Sequence, residues 1–419
     1  MTMAQPIGHG QNPPSQLLDE AIIVGGCVLL HLMLAEPAGY PLTIAPAAVT
    51  LVLVRHYAGR MSMLKMTAWL ALLLIPFVNV LGAPSDTLAK FVRTYGLYVF
   101  NVSVLWWATA ARIDRCRNDI VRGAFAALAV VACFSAAQSG LAFLTGSNAL
   151  YNIFGNHQYL HLYDTDLHNT GSGSWSRAQG FYLEPSFGAL VMVTMWVVCT
   201  LANYRVGAAG LIMAGALFFN RSFSGILTFM FLLAIHLGLS LGKRVSLFVK
   251  LAVTIGCVLI AAVVLRQVLL ARLAELNVEG ASAYYRLISP LVVLRDVLQS
   301  RPFGVEMGQV ESFLAPYGLL QTGSEGNTLD NGLYVLVFYF GWLGIAAVTG
   351  LLATIASHIM RGRREAAIFW GYLLLSLGFS GAILVPEYAF LLVLVIYQYR
   401  KTRASRNLVS GLGEQPARA

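Results

Sequence analysis

Unbroken apolar runs recur from one end of the chain to the other, and they decide most of what it can fold into. They fall near 21–34, 42–54, 66–80, 97–111, 124–144, 183–202, 206–218, 225–241, 245–265, 333–359, 366–379 and 382–397. Hydrocarbon offers no partners to backbone N–H and C=O groups, so a chain crosses a bilayer as helices or as a closed barrel. Barrel strands alternate polar and apolar residues; these runs do not, so they predict helices. The expected fold is all-α, a polytopic helical integral membrane protein of about 12 transmembrane helices, several shorter than the roughly 20 residues of a straight crossing. A mean hydropathy of +0.69 over 419 residues, with 58% hydrophobic and 11% charged residues, agrees. Pro37, Pro46 and Pro386 interrupt the first and last pairs of runs, which are the least secure.

Residues 1–15 are rich in Gly, Pro and Gln and read as a disordered tail. They lack a basic region and a cleavage site, so the first helix is expected to act as an uncleaved signal. Residues 16–400 form a single transmembrane domain, interrupted by two long polar loops at about 146–182 and 267–331, and 401–419 form a tail. Lys and Arg in short loops set the orientation. Arg55, Arg60 and Lys65 follow the second run, Arg112 to Arg122 the fourth, Arg205 the sixth, Lys243 and Arg244 the eighth, Arg361 to Arg364 the tenth, and Arg400 to Arg406 the last. Basic residues thus follow every even-numbered run, which predicts that both termini are cytoplasmic and both long loops are outside. The net charge of +9 is explained by these loops and asks for no nucleic acid. Four of the five cysteines, Cys27, Cys133, Cys199 and Cys257, sit in apolar runs and read as small hydrophobes.

Arginines on the outer side run against the charge rule and want an anionic partner, because guanidinium forks onto phosphate and carboxylate oxygens. Arg177 and Glu184 flank the start of the sixth helix, where Pro185 suits the first turn. They can face one cavity, or form a structural ion pair. Arg221 lies in the short turn Asn220–Gly225 and either snorkels to headgroups or lines a polar pocket. Arg286 follows Tyr284 and Tyr285, a pattern that also fits a lipid-headgroup anchor. Arg295 and Arg301 read as solvating or loop-shaping residues. Asp330, before the tenth run, is either an N-cap or a carboxylate facing the arginines. His157, His161 and His168 stand among Gly, Asn, Asp and Ser, poor context for a metal-binding helix, so no metal site is argued.

The order Arg177…Gly180-Phe181…Pro185, Arg221-Ser222…Ser224-Gly225, Arg286, Arg301-Pro302-Phe303-Gly304, Asp330-Asn331 and Gly341-Trp342-Leu343-Gly344 resembles the O-antigen ligase and polymerase superfamily of bacterial envelope enzymes. Arg177 and Gly188 also match the Arg-x10-Gly pattern of O-antigen polymerases. The resemblance covers Arg177 to Gly344. It implies an inner-membrane glycosyltransferase that uses undecaprenyl-diphosphate-linked glycans as donor and acceptor on the periplasmic face, with no required metal or cofactor. It also admits a chain-length regulator as partner, besides membrane lipids. In the ligase branch a histidine stands where this chain has Asp330, which favours a polymerase of O-antigen or exopolysaccharide repeats over a ligase to lipid A-core. Arg221 and Arg286, with Arg177 third, are then the residues for the diphosphate. Asp330 and Glu184 are the candidate bases for direct displacement with inversion, and Tyr182, Tyr285 and Tyr334 the candidate sugar contacts. A lipid-linked oligosaccharide flippase is the alternative of another class; it would put more charge in mid-helix and keep its outer loops short.

Overall fold

A computed structural model of the chain describes residues 13–35, 42–57, 62–77, 88–110, 119–146, 150–151, 153–154, 177–182, 185–240, 256, 270, 274, 288–309, 313, 317, 331–379 and 384–412. Within them the fold is helical apart from one short antiparallel pair, β1 (Met33–Ala35) and β2 (Leu42–Thr43), with Met33 opposite Thr43. The helices are α1 (Pro13–Val28), α2 (Ala45–His56), α3 (Met63–Leu74), α4 (Leu88–Ala110), α5 (Asp119–Thr145), α6 (Pro185–Leu201) and α7 (Val206–Asn220). There follow α8 (Phe223–Ser240), α9 (Ser289–Ser300), α10 (Gly332–Phe340), α11 (Trp342–Met360), α12 (Arg364–Ser376) and α13 (Pro386–Leu412). Ile120–Thr145, Phe223–Ser240 and Trp342–Met360 are long and apolar enough to cross a membrane, and α2, α3, α6 and α7 belong to shorter apolar helices.

Most of the expected apolar runs are therefore helices; the run at 245–265 lies outside the described residues, Gly256 excepted. Three differences have physical causes. The first helix stops at Val28, because the chain turns into the β1–β2 pair. The last helix continues through the charged residues after Arg400 to Leu412. The tenth run is not one helix: Gly341, at φ 55° and ψ −129°, separates α10 from α11.

The centre of the bundle is α6. It is apolar all round, as a fully enclosed helix must be, and every residue from Gly188 to Leu201 is buried. Trp196 packs edge-on to Phe229 of α8 with ring centroids 4.9 Å apart. The Thr194 hydroxyl meets the Tyr372 hydroxyl of α12 at 2.6 Å. α11 is the opposite case: only Gly344 and Ile355 along it are buried. A second, smaller core joins Leu73, Phe91 and Tyr98 of α3 and α4 to Val293 and Val297 of α9, Val305, Met307 and the buried face of α10. The described middle of the second long loop, α9 and residues 301–309, is thus packed against α3, α4 and α10.

Side-chain links place the helix ends on two faces. On one, Asp19 of α1 meets Arg55, with His56 at 3.8 Å. Lys65 Nζ donates to the Ala110 carbonyl, Arg400 to that of Ala108 and Thr402 to that of Leu201. Arg364 reaches Ser240, and Glu365 holds both Arg364 and Arg406. The basic loop ends share this face, and the other ends of the same helices define the opposite one.

Candidate functional site

Two clusters stand out among the described residues of the face opposite the basic loops. The first is built around two buried carboxamides. Gln138 of α5 accepts from the backbone N–H groups of Gln179 and Gly180, both at 2.9 Å, and donates to the Leu150 carbonyl at 2.8 Å. Asn220, the last residue of α7, donates to the carbonyls of Ala178 at 2.9 Å and Pro185 at 2.8 Å, and accepts from Ser222 N–H at 3.2 Å. The Ala178 N–H donates to the Phe219 carbonyl at 3.0 Å. An extended segment, 177–180, is thereby fixed across the ends of α5, α6 and α7. Each amide uses donors and acceptors together, and a buried donor left without its acceptor costs about 1–3 kcal/mol.

This arrangement makes the backbones at Arg177 and Arg221 neighbours, since residue 178 is bonded both to residue 219 and to the side chain of Asn220. It also explains the spacing from Arg177 to Gly188. A Cβ on Gly188 would stand 2.9 Å from the Gln179 carbonyl oxygen and 3.2 Å from Asn220 Nδ2, so only glycine lets α6 pass under the segment. Arg221 itself is left-handed, at φ 52° and ψ 31°, and closes α7 through its N–H to the Leu217 carbonyl. Non-glycine residues seldom adopt that conformation, and strain of this kind collects at functional sites. The hydroxyls of Ser135 and Ser186 are buried with no hydrogen-bond partner among the described residues.

The second cluster joins the two glycine motifs. Trp342 N–H donates to the Pro302 carbonyl at 3.0 Å, and Val305 N–H to that of Phe338 at 2.8 Å. A Cβ on Gly341 would lie 2.0 Å from the Pro302 oxygen, and one on Gly304 2.3 Å from Tyr339 backbone atoms. At Gly344 it would meet the Leu336 oxygen at 2.3 Å, so α11 starts back across α10. The two helices form a V. Between them is a cavity of ≈ 310 Å³ lined by Leu333, Tyr334, Val337, Ile345 and Val348, with Asn331, Thr349 and Leu294 of α9. Arg301 pairs with the mostly buried Glu306 at 3.5 Å. Beside it the Tyr317 hydroxyl donates to Asp296 at 2.9 Å, and that bond, ahead of burial, raises the phenol above its usual range.

The structure sorts the expected site residues. The backbones that carry Arg177 and Arg221 are neighbours, and Tyr334 lines the cavity. Arg286, Tyr285, Glu184 and Asp330 lie outside the described residues, as do His157, His161 and His168. Tyr182 is a correction: it is fully buried, its hydroxyl donates to the Cys27 carbonyl at 2.8 Å, and its ring stands edge-on to His31. It ties the segment to α1 and has no face for a sugar. The helix cap is a second correction, since Asn331, not Asp330, caps α10, its Oδ1 accepting from Leu333 N–H at 3.0 Å. Gln138 and Glu306 were missed. A polar residue in mid-span is itself a signal, and Gln138, with Ser135 and Ser139 at helical spacing, was visible in the run at 124–144.

A helical membrane protein with two arginines on neighbouring backbone segments, on the face away from its basic loops, is the class that this fold and site define. Residues 16–401 match the family described as WcaD colanic acid polymerase, and the chain belongs to that family. A relative from Escherichia coli (strain K12), described as "Putative colanic acid polymerase", is 24% identical over 326 residues, covering 75% of this chain and 80% of the relative.

Proposed function

We propose that the protein is a membrane glycosyltransferase that polymerises undecaprenyl-diphosphate-linked oligosaccharide repeats into an exopolysaccharide of the colanic acid type on the periplasmic face. The observation that carries this reading is the bonded junction of the 177–180 segment with the end of α7, which sets Arg177 beside Arg221 on the face away from the basic loops. In a bacterial inner membrane with cytoplasmic termini, that face is periplasmic. Family membership among polymerases favours chain growth over transfer to lipid A-core and over flipping.

The acceptor hydroxyl attacks the anomeric carbon of the donor sugar, giving up its proton to a carboxylate. The bond from that carbon to the diphosphate oxygen breaks, the electron pair leaves with the diphosphate, and the anomeric configuration inverts. Arg221, Arg286 and Arg177 take up the charge developing on the leaving group, the role of preorganised donors in such a step. Asp330 is the first candidate base and Glu184 the second. Since Asn331 supplies the cap of α10, the Asp330 carboxylate is not needed for capping. Tyr285 and Tyr334 are the candidate sugar contacts.

In a deletion strain complemented at equal protein level, Asp330→Asn or Glu184→Gln should reduce polymer by roughly 100-fold or more, the usual worth of general-base catalysis. Single lipid-linked repeats should accumulate. Full-length polymer from both variants would reject both carboxylates. Failure of the wild-type gene itself to restore polymer would reject the polymerase reading.

A further inference from the structure

We propose that the junction of α11, α12 and α13 on the basic face binds one anionic phospholipid that carries two phosphates. Arg361, Arg363 and Arg403 take the phosphates, and the acyl chains lie along α11. The proposal is independent of the polymerase reading and adds a binding site on the other side of the molecule.

α11 ends in a tight turn. Arg361 N–H donates to the Ser357 carbonyl at 3.1 Å, Gly362 N–H to that of Ile359 at 3.0 Å and Arg363 N–H to that of His358 at 2.9 Å. Gly362 supplies the left-handed residue, at φ 62°, and α12 begins at Arg364. The turn therefore holds the backbones of Arg361 and Arg363 against the last turn of α11. The third arginine comes from α13, where Tyr399, Arg403 and Arg406 recur at helical spacing on one stripe. Both ends of that stripe are fixed on α12. Tyr399 stacks on Phe369 with ring centroids 4.2 Å apart, and Arg406 meets Glu365 at 2.5 Å. Arg403 lies between them. His358 is within electrostatic reach of Arg361, Arg363 and Arg403 together, so the three charges share one neighbourhood.

The carboxylate of this junction, Glu365, is taken by Arg364 and Arg406. Arg361, Arg363 and Arg403 meet no carboxylate among the described residues. The bias of basic residues toward one side of a membrane accounts for their sign, and the C-terminal end of α11 favours a cation. Neither gathers three guanidinium groups from two elements around one histidine. Like charges held together repel, so the arrangement asks for an anion. Guanidinium forks onto phosphate oxygens, and two phosphates offset most of the three charges. The open side of α11 selects a lipid as their carrier. Ile359 is 36% and Met360 81% exposed next to the arginines, and Leu352, two turns back, is 52% exposed. A soluble acidic partner would leave these side chains bare. A phospholipid covers them with acyl chains while its head group meets the arginines, as in the basic pockets between membrane helices that hold multiply charged head groups.

Purified full-length protein in neutral detergent is titrated with cardiolipin, phosphatidylglycerol or inorganic pyrophosphate, and bound ligand is counted by native mass spectrometry. The wild type should hold one cardiolipin about tenfold or more tighter than phosphatidylglycerol, and should retain no pyrophosphate at the same concentration. Arg403→Gln should weaken cardiolipin about tenfold or more, the worth of one charge-assisted hydrogen bond. Arg122→Gln removes the same charge from the start of α5, where Gly123 packs on Glu20 of the same face, and should stay within about twofold. Equal weakening by the two variants would reduce the attraction to diffuse charge and overturn the site. Pyrophosphate bound as tightly as cardiolipin, or no cardiolipin on the wild type, would overturn it as well. Melting temperatures without lipid should match the wild type in both variants. Should Arg403→Gln melt lower, Arg361→Gln carries the same comparison.

Discussion

The two ends of α7 show the contrast between the faces of this molecule at its sharpest. Each is closed by an arginine in the left-handed conformation, Arg205 at φ 43° and Arg221 at φ 52°. Arg205 lies over Phe125 and Tyr204, its guanidinium carbon 5.5 and 5.6 Å from the ring centroids, so stacking accounts for the side chain. Arg221 sits between Asn220 and Ser222 in the cluster tied by Gln138. The same contrast holds across the bundle. The basic face is fastened by charges: Asp19 with Arg55, Glu365 with Arg364 and Arg406, Arg400 on the Ala108 carbonyl. On the opposite face the 177–180 segment is fastened by neutral carboxamides, and the α10–α11 junction by bare glycines beside the Arg301–Glu306 pair.

The largest test of this contrast replaces both arginines with glycine. The backbone prefers glycine at both positions, and relief of each left-handed residue is worth about 1 kcal/mol. Arg221→Gly should hold or raise the melting temperature yet lower polymer at least ~100-fold, the cost of removing a donor to a developing anion. Arg205→Gly should keep polymer within about twofold of the wild type. Equal retention in both variants would remove Arg221 from the site.

A smaller effect, on folding, comes from two glycines at the two ends of α11. Gly341→Ala puts a methyl 2.0 Å from the Pro302 oxygen at φ 55°; overpacking against backbone should cost about 2–3 kcal/mol. Gly362, at φ 62°, has nothing within 4 Å of a Cβ, so Gly362→Ala should cost only about 1 kcal/mol. Thermal unfolding of the purified variants in detergent compares them, and equal shifts would show that the Pro302 contact does not fix the V.

These two ends also show what the sequence could reveal. Hydropathy located the helices, because burial in lipid or in the bundle is written into each run as composition. It could not reveal the break at Gly341, since Phe340-Gly341-Trp342-Leu343-Gly344 is apolar without interruption and a positive φ leaves no trace in hydropathy. The basic loops were legible as charge, and the structure gathers Arg55, Lys65, Arg364, Arg400 and Arg406 on one face. The proximity of the Arg177 and Arg221 backbones was only half legible. Each stood at an expected outer boundary, but the bond from Ala178 to Phe219 joins residues that no local pattern pairs. Tyr182 misled for a related reason: an aromatic beside a polar loop looks like a ligand contact until its hydroxyl is found on Cys27.

Next in size is the amide clamp. Asn220→Asp keeps the shape of the side chain but removes both donors, to Ala178 and to Pro185, and adds a charge beside Arg221. Destabilisation of about 1–3 kcal/mol should follow from the two orphaned carbonyls. If the clamp positions the arginines, KM for the lipid-linked donor should rise as well, because a neighbouring carboxylate competes for guanidinium. A loss of stability with KM unchanged would make Asn220 purely structural.

The smallest effect is expected on the basic face, at Glu365. This carboxylate receives Arg364 at 3.1 Å and Arg406 at 2.5 Å, with the Arg406 side chain 64% exposed. Glu365→Gln keeps the volume and one acceptor oxygen while removing the charge. An ion pair with a solvated partner is worth no more than about 1 kcal/mol and weakens with salt. The variant should therefore unfold within about 1 kcal/mol of the wild type, with the difference shrinking as ionic strength rises, and should build polymer of normal length. Comparing its melting curve with that of the neutral variant Asn220→Ala at low and high salt separates the two ways of closing a bundle, since an orphaned carbonyl is indifferent to salt and an ion pair is not. Were Glu365→Gln to shorten the polymer at unchanged stability, the division of labour between the two faces would be wrong, and the basic face would carry part of the function.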